Sequence, residues 1–419
     1  MGVVAAIRIL GGGLHGYGFT VFFLPISQDL GLSRAATSLA FSLARAEGAI
    51  EAPVVGYLVD RYGPRPMITA AALLTGIGYI LLSWVNSYFS FMLIYLGVIS
   101  LAFTAGFVQS PMVLANSWFI RLRARAMTVV SAAVPVGGAL ISPLLALGVT
   151  VWGWRWAAFV AGCAFLVVCI PLSIQVKRSP ESMGLLPDGD PPALKSPKRE
   201  SKKCEARHNP DDTDTTAGNA MKTLVYWLIV LAMMARVAAH STVIVHFIPL
   251  MVWKGISQEW AAFLLGSFAF LNLVAHFLLG WIADRVNKPR LTAACMFVPA
   301  LSVLLLMWGE SVWPLWIFTL LYTVIDASFP IGWATVGDFF GRKYFGTIRG
   351  TMSFFYMWGG VLGPVIAGAI YDHSQSYAAV LSGLFVLLSV ATVLNALLIK
   401  PWAKKMLAIQ GDPLPHVAR

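Results

Sequence analysis

Apolar residues run along this chain in long blocks, and short charged or turn-forming stretches separate each block from the next. A helix that crosses a membrane needs roughly 20 predominantly apolar residues, and each block comes close to or exceeds that length. The pattern therefore predicts an all-α integral membrane protein with twelve transmembrane helices. The predicted spans are residues 5–28, 36–59, 66–84, 88–116, 125–150, 154–176, 222–250, 258–283, 291–309, 312–337, 346–370 and 377–399.

One polar segment, residues 177–221, interrupts the series after the sixth block. It is rich in proline, carries charges of both signs and has few large apolar residues, which is typical of a disordered linker. We expect an N-terminal six-helix bundle over residues 1–176 and a C-terminal six-helix bundle over residues 222–400. The linker and a tail at residues 401–419 are expected to be cytoplasmic.

A short charged stretch occurs once in each half. Residues 56–65 read GYLVDRYGPR and residues 280–290 read GWIADRVNKPR, so the second copy starts slightly more than half a chain length after the first. Arg125 and Arg349, which open the fifth and eleventh helices, are separated by the same interval as Gly56 and Gly280. A shared interval predicts two pseudo-symmetric bundles.

The composition agrees with a membrane protein and argues against several other classes. Hydrophobic residues make up 58% of the chain and charged residues only 12%, against about 25% charged in soluble domains. The net charge of +11 lies between the apolar blocks, which favours a topology signal over nucleic-acid binding. The four cysteines have no metal-ligand spacing. There is no phosphate-binding loop and no nucleophile–base spacing, so we expect no cofactor, no metal and no enzymatic activity.

Lysine and arginine fall mostly on one side of the predicted bundle. Such residues mark the cytoplasmic side of a membrane protein, so we expect a multi-pass protein of the cell membrane with both termini inside. The opposite side holds only Arg34, Arg155 and Lys254. The cytoplasmic side holds Arg61, Arg65, Arg121, Arg123, Arg125, the linker cluster, Arg285, Lys288, Arg290, Arg342, Lys343, Arg349, Lys400, Lys404 and Lys405.

These motifs identify a resemblance. The stretch at residues 56–65 resembles the signature loop between helices two and three of the major facilitator superfamily, and residues 280–290 resemble its weaker second copy. Residues 116–126, 359–364 and 368–377 resemble the monocarboxylate and oxalate/formate branch. The resemblance implies a secondary transporter that works by alternating access, with helices one, four, seven and ten lining its cavity.

The chain departs from that branch at one position. The branch usually carries an arginine in the eighth helix that pairs with the substrate carboxylate. The eighth helix here offers only Asn272 and His276. Carboxylate recognition must therefore come from another helix, or the substrate is not a simple monocarboxylate.

Charged residues at the repeated turns are candidates for a gate. The resemblance places Asp60 near the basic loop at residues 121–125, where it would pair with arginines in the closed state and release them on opening. The alternative is that these are ordinary charges of inside loops. The candidate gating residues are Asp60, Arg61, Arg65, Arg125, Asp284, Arg285 and Arg349.

Ionisable residues inside the spans are costly and mark functional sites by default. Arg236, near the middle of the seventh helix, is suited to grip a carboxylate through two parallel hydrogen bonds; the alternative is a structural ion pair. His240 follows one turn later on the same face. The further candidates for substrate binding are Arg45, His15, Tyr17, Tyr322 and Asn272.

Three acids within spans are candidates for carrying a proton. Asp326 lies in the tenth helix, with Tyr322 one turn before it. Glu47 and Glu51 share a face of the second helix. Histidine also titrates near neutral pH, but a lone histidine in a helix bundle is more often a packing residue.

We therefore expect a transporter of a small organic anion, a carboxylate, coupled to protons and acting as a monomer in the lipid bilayer without nucleic acid. Two alternatives stay open from the sequence. One is a proton-coupled exporter of drug-like or amphipathic compounds. The other is a membrane sensor or scaffold that transports nothing.

Overall fold

The computed structural model describes residues 1–32, 34–189, 215–309 and 312–398. The described part is almost entirely helical, and its helices are named here in chain order. They are α1 (residues 2–29), α2 (Arg34–Tyr62), α3 (Pro64–Leu82), α4 (Tyr88–Trp118), α5 (residues 123–152), α6 (residues 154–175), α7 (Leu224–Trp253), α8 (Gln258–Ala283), α9 (Lys288–Trp308), α10 (Val312–Phe340), α11 (Phe345–Ser374) and α12 (Ala378–Leu397).

The twelve predicted helices are confirmed, and four of them are interrupted, α6 by a π-helical stretch at Phe165–Cys169. α1 consists of Gly2–Gly11, a π-helical turn at Gly12–Gly16 and Phe19–Asp29. α4 contains two π-helical stretches, Tyr95–Ser100 and Thr104–Gln109, and α10 is broken between Val312–Ala327 and Phe329–Phe340. Such irregular backbone is tolerated at membrane depth where it lines a cavity or is buried in protein.

Tight turns join neighbouring helices. Gly63, between α2 and α3, has φ +91°, and Gly153, between α5 and α6, has φ +81°. Side chains with a Cβ rarely adopt such angles. The glycine of the repeated signature therefore allows the chain to reverse within one residue, and Pro64 begins the next helix.

The surface of the bundle is apolar, whereas its interior holds charged groups. Phe89, Trp152 and Phe270 are at least 65% exposed, but Arg236 and Arg349 are buried. A soluble protein would show the reverse distribution. Within the described residues, nine helical stretches are long and apolar enough to span a membrane, and one of them, Arg123–Gln175, contains both α5 and α6.

In each half the first and fifth helices of the bundle approach each other closely. A Cβ at Gly137 of α5 would overlap the Ile9 carbonyl oxygen of α1, and a Cβ at Gly359 of α11 would overlap the Met234 carbonyl oxygen of α7. Close backbone approach of this kind needs small residues. Gly137 and Gly359 are therefore equivalent positions of the two halves, and the interval between them is slightly shorter than that between the two signature copies.

The positions at which the fifth helix of each half begins correct one expectation. α5 begins at Arg123 and α11 at Phe345, and the interval between these starts equals that between Gly137 and Gly359. Arg125, the third residue of α5, therefore corresponds to Thr347 and not to Arg349. The equivalence of Arg125 and Arg349 expected from the sequence is wrong, because the two halves differ in length between the signature turn and the fifth helix.

The first part of the predicted linker is ordered against the bundle, so the prediction of disorder is wrong for residues 177–189. Trp118 donates from Nε1 to the Lys177 carbonyl oxygen at 3.1 Å. The Asp188 carboxylate accepts hydrogen bonds from the backbone amides of Ile120, Arg121 and Leu122 at 2.9–3.2 Å. This end of the molecule is called the linker face below. Residues 190–214 and the predicted tail, 401–419, lie outside the described residues.

Candidate functional site

The charged residues of the C-terminal half meet between α7, α8 and α10. The Arg236 Nη1 atom lies 4.0 Å from Asp326 Oδ1, and His240 Nε2 lies 3.6 Å from the same oxygen. Asn272 of α8 donates from Nδ2 to Asp326 Oδ2 at 2.8 Å. Asp326 is thus surrounded by three polar side chains from two other helices. We call these four residues the central cluster: Arg236, His240, Asn272 and Asp326.

The break in α10 positions this cluster. Pro330 has no backbone N–H, so the Asp326 carbonyl loses its regular helical partner. One residue earlier, the Ile325 carbonyl oxygen accepts from Arg236 Nη1 at 2.9 Å and from Ser328 Oγ at 2.7 Å. The interrupted helix therefore holds the guanidinium through main-chain oxygen as well as through the carboxylate. Discontinuous helices with exposed backbone groups form ion and substrate sites in many transport proteins.

Several polar atoms of the cluster and of Tyr322, one turn before Asp326 on α10, have no partner among the described residues. They are Arg236 Nε, His240 Nδ1, Asn272 Oδ1 and Tyr322 Oη, and all are buried. A buried polar atom without a hydrogen bond is destabilising by about 1–3 kcal/mol. The cluster therefore offers donors and acceptors that a bound molecule can satisfy.

Two residues not predicted as site members support the cluster. The Arg236 guanidinium lies 4.4 Å from the centre of the Phe329 ring. The His276 ring nitrogen Nδ1 lies 3.0 Å from the Asn272 carbonyl oxygen, one turn earlier in α8. Phe329 carries no signal in the sequence apart from its position next to Asp326 and Pro330.

Of the substrate candidates in the N-terminal half, Tyr17 approaches the central cluster. Its side chain is half exposed, and Asp326 acts on it electrostatically across the interface of the halves. Tyr17 lies where α1 is interrupted between its π-helical turn and Phe19.

His15 lies elsewhere, inside an aromatic cluster of its own half. Its Nδ1 is 2.9 Å from Tyr79 Oη, and that hydroxyl donates to the Leu14 carbonyl oxygen at 3.1 Å. Because the hydroxyl proton is used, His15 Nδ1 carries the proton and donates to Tyr79. The ring of Phe103 lies 4.2 Å from the His15 ring, centre to centre. These contacts agree with the packing interpretation of His15 that the sequence left open.

The two glutamates of α2 face α4 rather than the central cluster. Glu47 lies beside Ser100 and Glu51 beside Thr104. Glu51 Oε1 and Oε2 and Glu47 Oε2 are buried without well-formed hydrogen bonds in the described part. The side chain of Arg45, the third charged residue of this segment, lies outside what the structure describes.

On the linker face, Asp60 joins the two halves. Its Oδ1 accepts from the Gly346 amide at 2.9 Å, and its Oδ2 accepts from the Thr347 amide at 2.6 Å and from Thr347 Oγ1 at 2.7 Å. These amides are the second and third of α11, so the carboxylate caps that helix and meets the positive end of its dipole. Gly56, one turn earlier, touches the Gly346 carbonyl oxygen so closely that a Cβ would overlap it.

Asp284 makes the matching contact in the opposite direction. Its carboxylate accepts from the Ala124 and Arg125 amides of α5 at 3.0 and 3.2 Å, and Arg125 Nε lies 3.4 Å from it. The expectation that Asp60 pairs with arginines of the loop at residues 121–125 is wrong. That region binds Asp284, because each signature acid crosses to the other half.

The remaining gate candidates are placed differently. Arg61 donates to Tyr57 Oη at 3.2 Å within α2, and the Arg285 guanidinium lies 3.6 Å from the Trp281 ring centre within the C-terminal half. Arg65 is exposed at the start of α3. Arg349 points inward and donates from Nη1 to Gln109 Oε1 of α4. Of the predicted arginines, Arg125 and Arg349 therefore join the halves.

Further hydrogen bonds and ion pairs stabilise the linker face. Asp338 of α10 accepts from Arg123 of α5 and from Lys288 of α9, both at 2.6 Å. Arg342 donates to the Ser117 carbonyl oxygen at 2.8 Å and to Glu181 of the linker at 2.8 Å. Burial alone would raise the pKa of Glu181. The hydrogen bonds to its carboxylate, first that from Arg342, outweigh this effect, so the pKa lies below its usual value.

Two six-helix halves, a charged cluster beside the break in α10 and a closed linker face are typical of membrane transport proteins. The sequence model of the Major Facilitator Superfamily matches residues 9–364 and 255–408. The chain belongs to this superfamily.

Relatives of known function are distant but cover most of the chain. The glycerol-3-phosphate transporter of Bacillus subtilis is 23% identical, over 84% of this chain and 81% of its own. Monocarboxylate transporter 12 of Xenopus laevis is 22% identical, over 92% and 86%. Human monocarboxylate transporter 2 is 24% identical, over 85% and 76%. The chain is a transporter that resembles the monocarboxylate branch.

Solved structures confirm the fold. The transporter FucP in its outward conformation superposes with a TM-score of 0.69 at 13% identity, over 97% of this chain and 98% of its own. The human organic anion transporter MFSD10 superposes with a TM-score of 0.65 at 15% identity, over 94% and 99%.

Proposed function

We propose that this protein is a secondary active transporter that carries a small carboxylate anion together with a proton across the cell membrane. The observation that carries the proposal is the Arg236 guanidinium, buried beside Asp326 at the break in α10 with its Nε unpartnered among the described residues. Arginine holds carboxylates through charge-assisted, bidentate hydrogen bonds. The arginine that the monocarboxylate branch carries in its eighth helix has, in this proposal, its counterpart in α7.

The geometry around Asp326 supports coupling to a proton. An ionised Asp326 competes with the substrate for Arg236 and His240, since both lie near Oδ1. A proton on Asp326 removes that competition and leaves the guanidinium to the substrate carboxylate. Proton and anion would then bind together and leave together. Asn272, Tyr322, His240 and the half-exposed Tyr17 would orient the substrate, and Glu47 and Glu51 would hold protons in the other half.

The ties on the linker face support alternating access. Asp60 and Asp284 each cap a helix of the other half, so separating the halves there exposes both caps to water at a modest net cost. Such weak, repeated contacts suit an element with two states. In this proposal the linker face is cytoplasmic, and a single chain is the working unit.

The proposal is tested by uptake into proteoliposomes under an inward proton gradient. We expect uptake of at least one of pyruvate, lactate, formate and oxalate. Glycerol 3-phosphate is tested beside them because of the Bacillus subtilis relative, and uptake of that compound alone would contradict a carboxylate substrate. Ligand-dependent thermal stabilisation of the purified protein selects the compound beforehand, because binding to the folded state raises stability by mass action. Failure of every compound in both assays would contradict the proposal.

Export of amphipathic compounds is the second candidate. The half-exposed Tyr17 ring and Phe329 beside Arg236 supply aromatic surface near the central cluster. Over 135 residues the chain is also 27% identical to the fujikurins efflux protein of Gibberella fujikuroi. Drug resistance on expression, together with absence of carboxylate uptake, would favour this candidate.

A further inference from the structure

Two buried guanidinium groups lie apart from the central cluster. Arg349 of α11 is 2% exposed and Arg8 of α1 is 7% exposed. Among the described residues neither pairs with a carboxylate, and the charge that acts on Arg8 is that of Arg349. Two neighbouring buried cations without an anion are an unfavourable arrangement, because desolvated charges need compensation.

Both groups converge on one short stretch of α4. Arg8 donates from Nε to the Val130 carbonyl oxygen at 3.0 Å and from Nη1 to the Phe107 carbonyl oxygen. Arg349 donates to the side chain of Gln109, two residues further along the same π-helical stretch. Arg349 Nε is buried and has no partner in the described part of the chain.

An aromatic wall connects Arg349 with the central cluster. Phe329 and Trp333 are one turn apart on α10, with ring centres 6.0 Å apart. The Arg236 guanidinium lies 4.4 Å from the Phe329 ring centre, and the Arg349 guanidinium lies 4.7 Å from that of Trp333. The Tyr356 ring of α11 contacts both, with centres 6.3 and 5.8 Å away.

We propose that Arg349, Arg8 and Gln109 form a second anion site, one turn of α10 closer to the linker face than the central cluster. Its ligand is the carboxylate or phosphate group of the transported anion. The inference rests on the proposed function, since it adds a step to the path of the same substrate. Gln109 belongs to one half and Arg349 to the other, so opening of the linker face separates them. The freed guanidinium then receives the anion from Arg236 along the wall of Phe329, Trp333 and Tyr356.

The test uses the purified full chain with Gly56→Val, which forces α2 and α11 apart because a Cβ at Gly56 overlaps the Gly346 carbonyl oxygen. Thermal stability is titrated with acetate, oxalate and inorganic phosphate. We expect Arg349→Gln to weaken the apparent affinity for at least one probe by roughly tenfold or more, as for loss of a charge-assisted hydrogen bond. Arg349→Lys should keep most of the affinity, and Arg236→Gln should leave it measurable.

Arg290→Gln is the matched control, because it removes an exposed guanidinium from the start of α9 and should change nothing. If Arg349→Gln does not fold, Arg8→Gln tests the same site from the other half. Unchanged affinity in the Arg349 and Arg8 variants, with loss in Arg236→Gln, would overturn the second site and leave the proposed function intact. Absence of probe binding to the Gly56→Val protein would also overturn it. If the protein without the Gly56→Val substitution neither binds the probes nor takes up carboxylates, the proposed function is overturned as well.

Discussion

The fourth helix of each half is distorted, but the two distortions carry different chemistry. α10 breaks at Ser328, two residues after Asp326, and α4 is π-helical at Tyr95–Ser100 and again at Thr104–Gln109. In the C-terminal half the acid Asp326 lies among an arginine, a histidine and an asparagine side chain. In the N-terminal half Thr104 lies beside Glu51, with no cation paired to that acid among the described residues. Both fourth helices are irregular, but the charged side chains beside the irregular segments differ between the halves.

In the proposed function this difference gives the halves separate tasks. A guanidinium with an unpartnered Nε can bind an anion, whereas carboxyl groups beside hydroxyls can hold protons but repel anions. The halves are nevertheless symmetric at the linker face, where Asp60 and Asp284 cap α11 and α5 in the same way. We therefore expect substitutions in the two halves to differ in their effects on uptake and on proton coupling. We expect substitutions of the two capping acids to have equal effects.

The largest effect is expected for Arg236→Gln. Loss of a hydrogen bond to a charged group costs about 1.5–3 kcal/mol, so initial uptake of the best carboxylate in proteoliposomes should fall by roughly 10- to 100-fold. His15→Gln in the other half should change uptake by less than about fivefold, because His15 is held in its aromatic cluster and loss of one such hydrogen bond costs only about 1 kcal/mol. Equal losses in both variants would contradict the assignment of binding to the C-terminal half.

Asp326→Asn should separate binding from coupling. The amide cannot release a proton, so accumulation driven by a gradient of about one pH unit should fall by about tenfold, because that gradient supplies about 1.4 kcal/mol per coupled proton. Exchange of internal for external carboxylate at equal pH should persist. Glu51→Gln is the comparison in the N-terminal half, and a smaller loss of pH-driven uptake is expected there. Unaltered pH dependence in Asp326→Asn would remove Asp326 from the coupling step.

The smallest effects concern the two helix caps. Loss of a capping side chain costs about 1 kcal/mol, so Asp60→Ala should speed hydrogen exchange in the first turn of α11 roughly fivefold. Asp284→Ala should do the same for the first turn of α5. Each variant serves as the control for the other, and hydrogen-exchange mass spectrometry resolves the two peptides. Faster exchange at both turns in a single variant would show that the caps open together rather than singly.

The scaffold was predictable from the sequence because membrane crossing imposes a length and a composition on every helix. The repeated signature also placed Asp60 and Asp284 correctly at equivalent turns. Their partners were not predictable, since the change in register between the halves becomes visible only when α5 and α11 are superposed. The constant interval predicted that Arg125 and Arg349 are equivalent. In the structure Arg125 lies on the linker face beside Asp284, whereas Arg349 is buried beside Gln109.

The central cluster was predictable in part. A charged residue in an apolar block is evident, and the positions of Arg236 and Asp326 in helices seven and ten suggested that they meet. The role of Phe329 and Trp333 was hidden, because aromatic residues in apolar helices are usually packing residues. Their function as supports for two guanidiniums depends on the break at Ser328 and on the approach of α11.

Proton movement accompanying carboxylate uptake tests the central claim most directly. Proteoliposomes that contain a trapped pH-sensitive dye are given pyruvate, lactate or oxalate, whichever the uptake assay selects, without an imposed gradient. For the wild-type chain we expect acidification of the interior with the same time course as uptake. For Arg236→Gln we expect loss of both. In Asp326→Asn it predicts loss of the acidification. Acidification that is equal in wild-type and Arg236→Gln vesicles, or uptake with no acidification in the wild type, would contradict a proton-coupled carboxylate transporter.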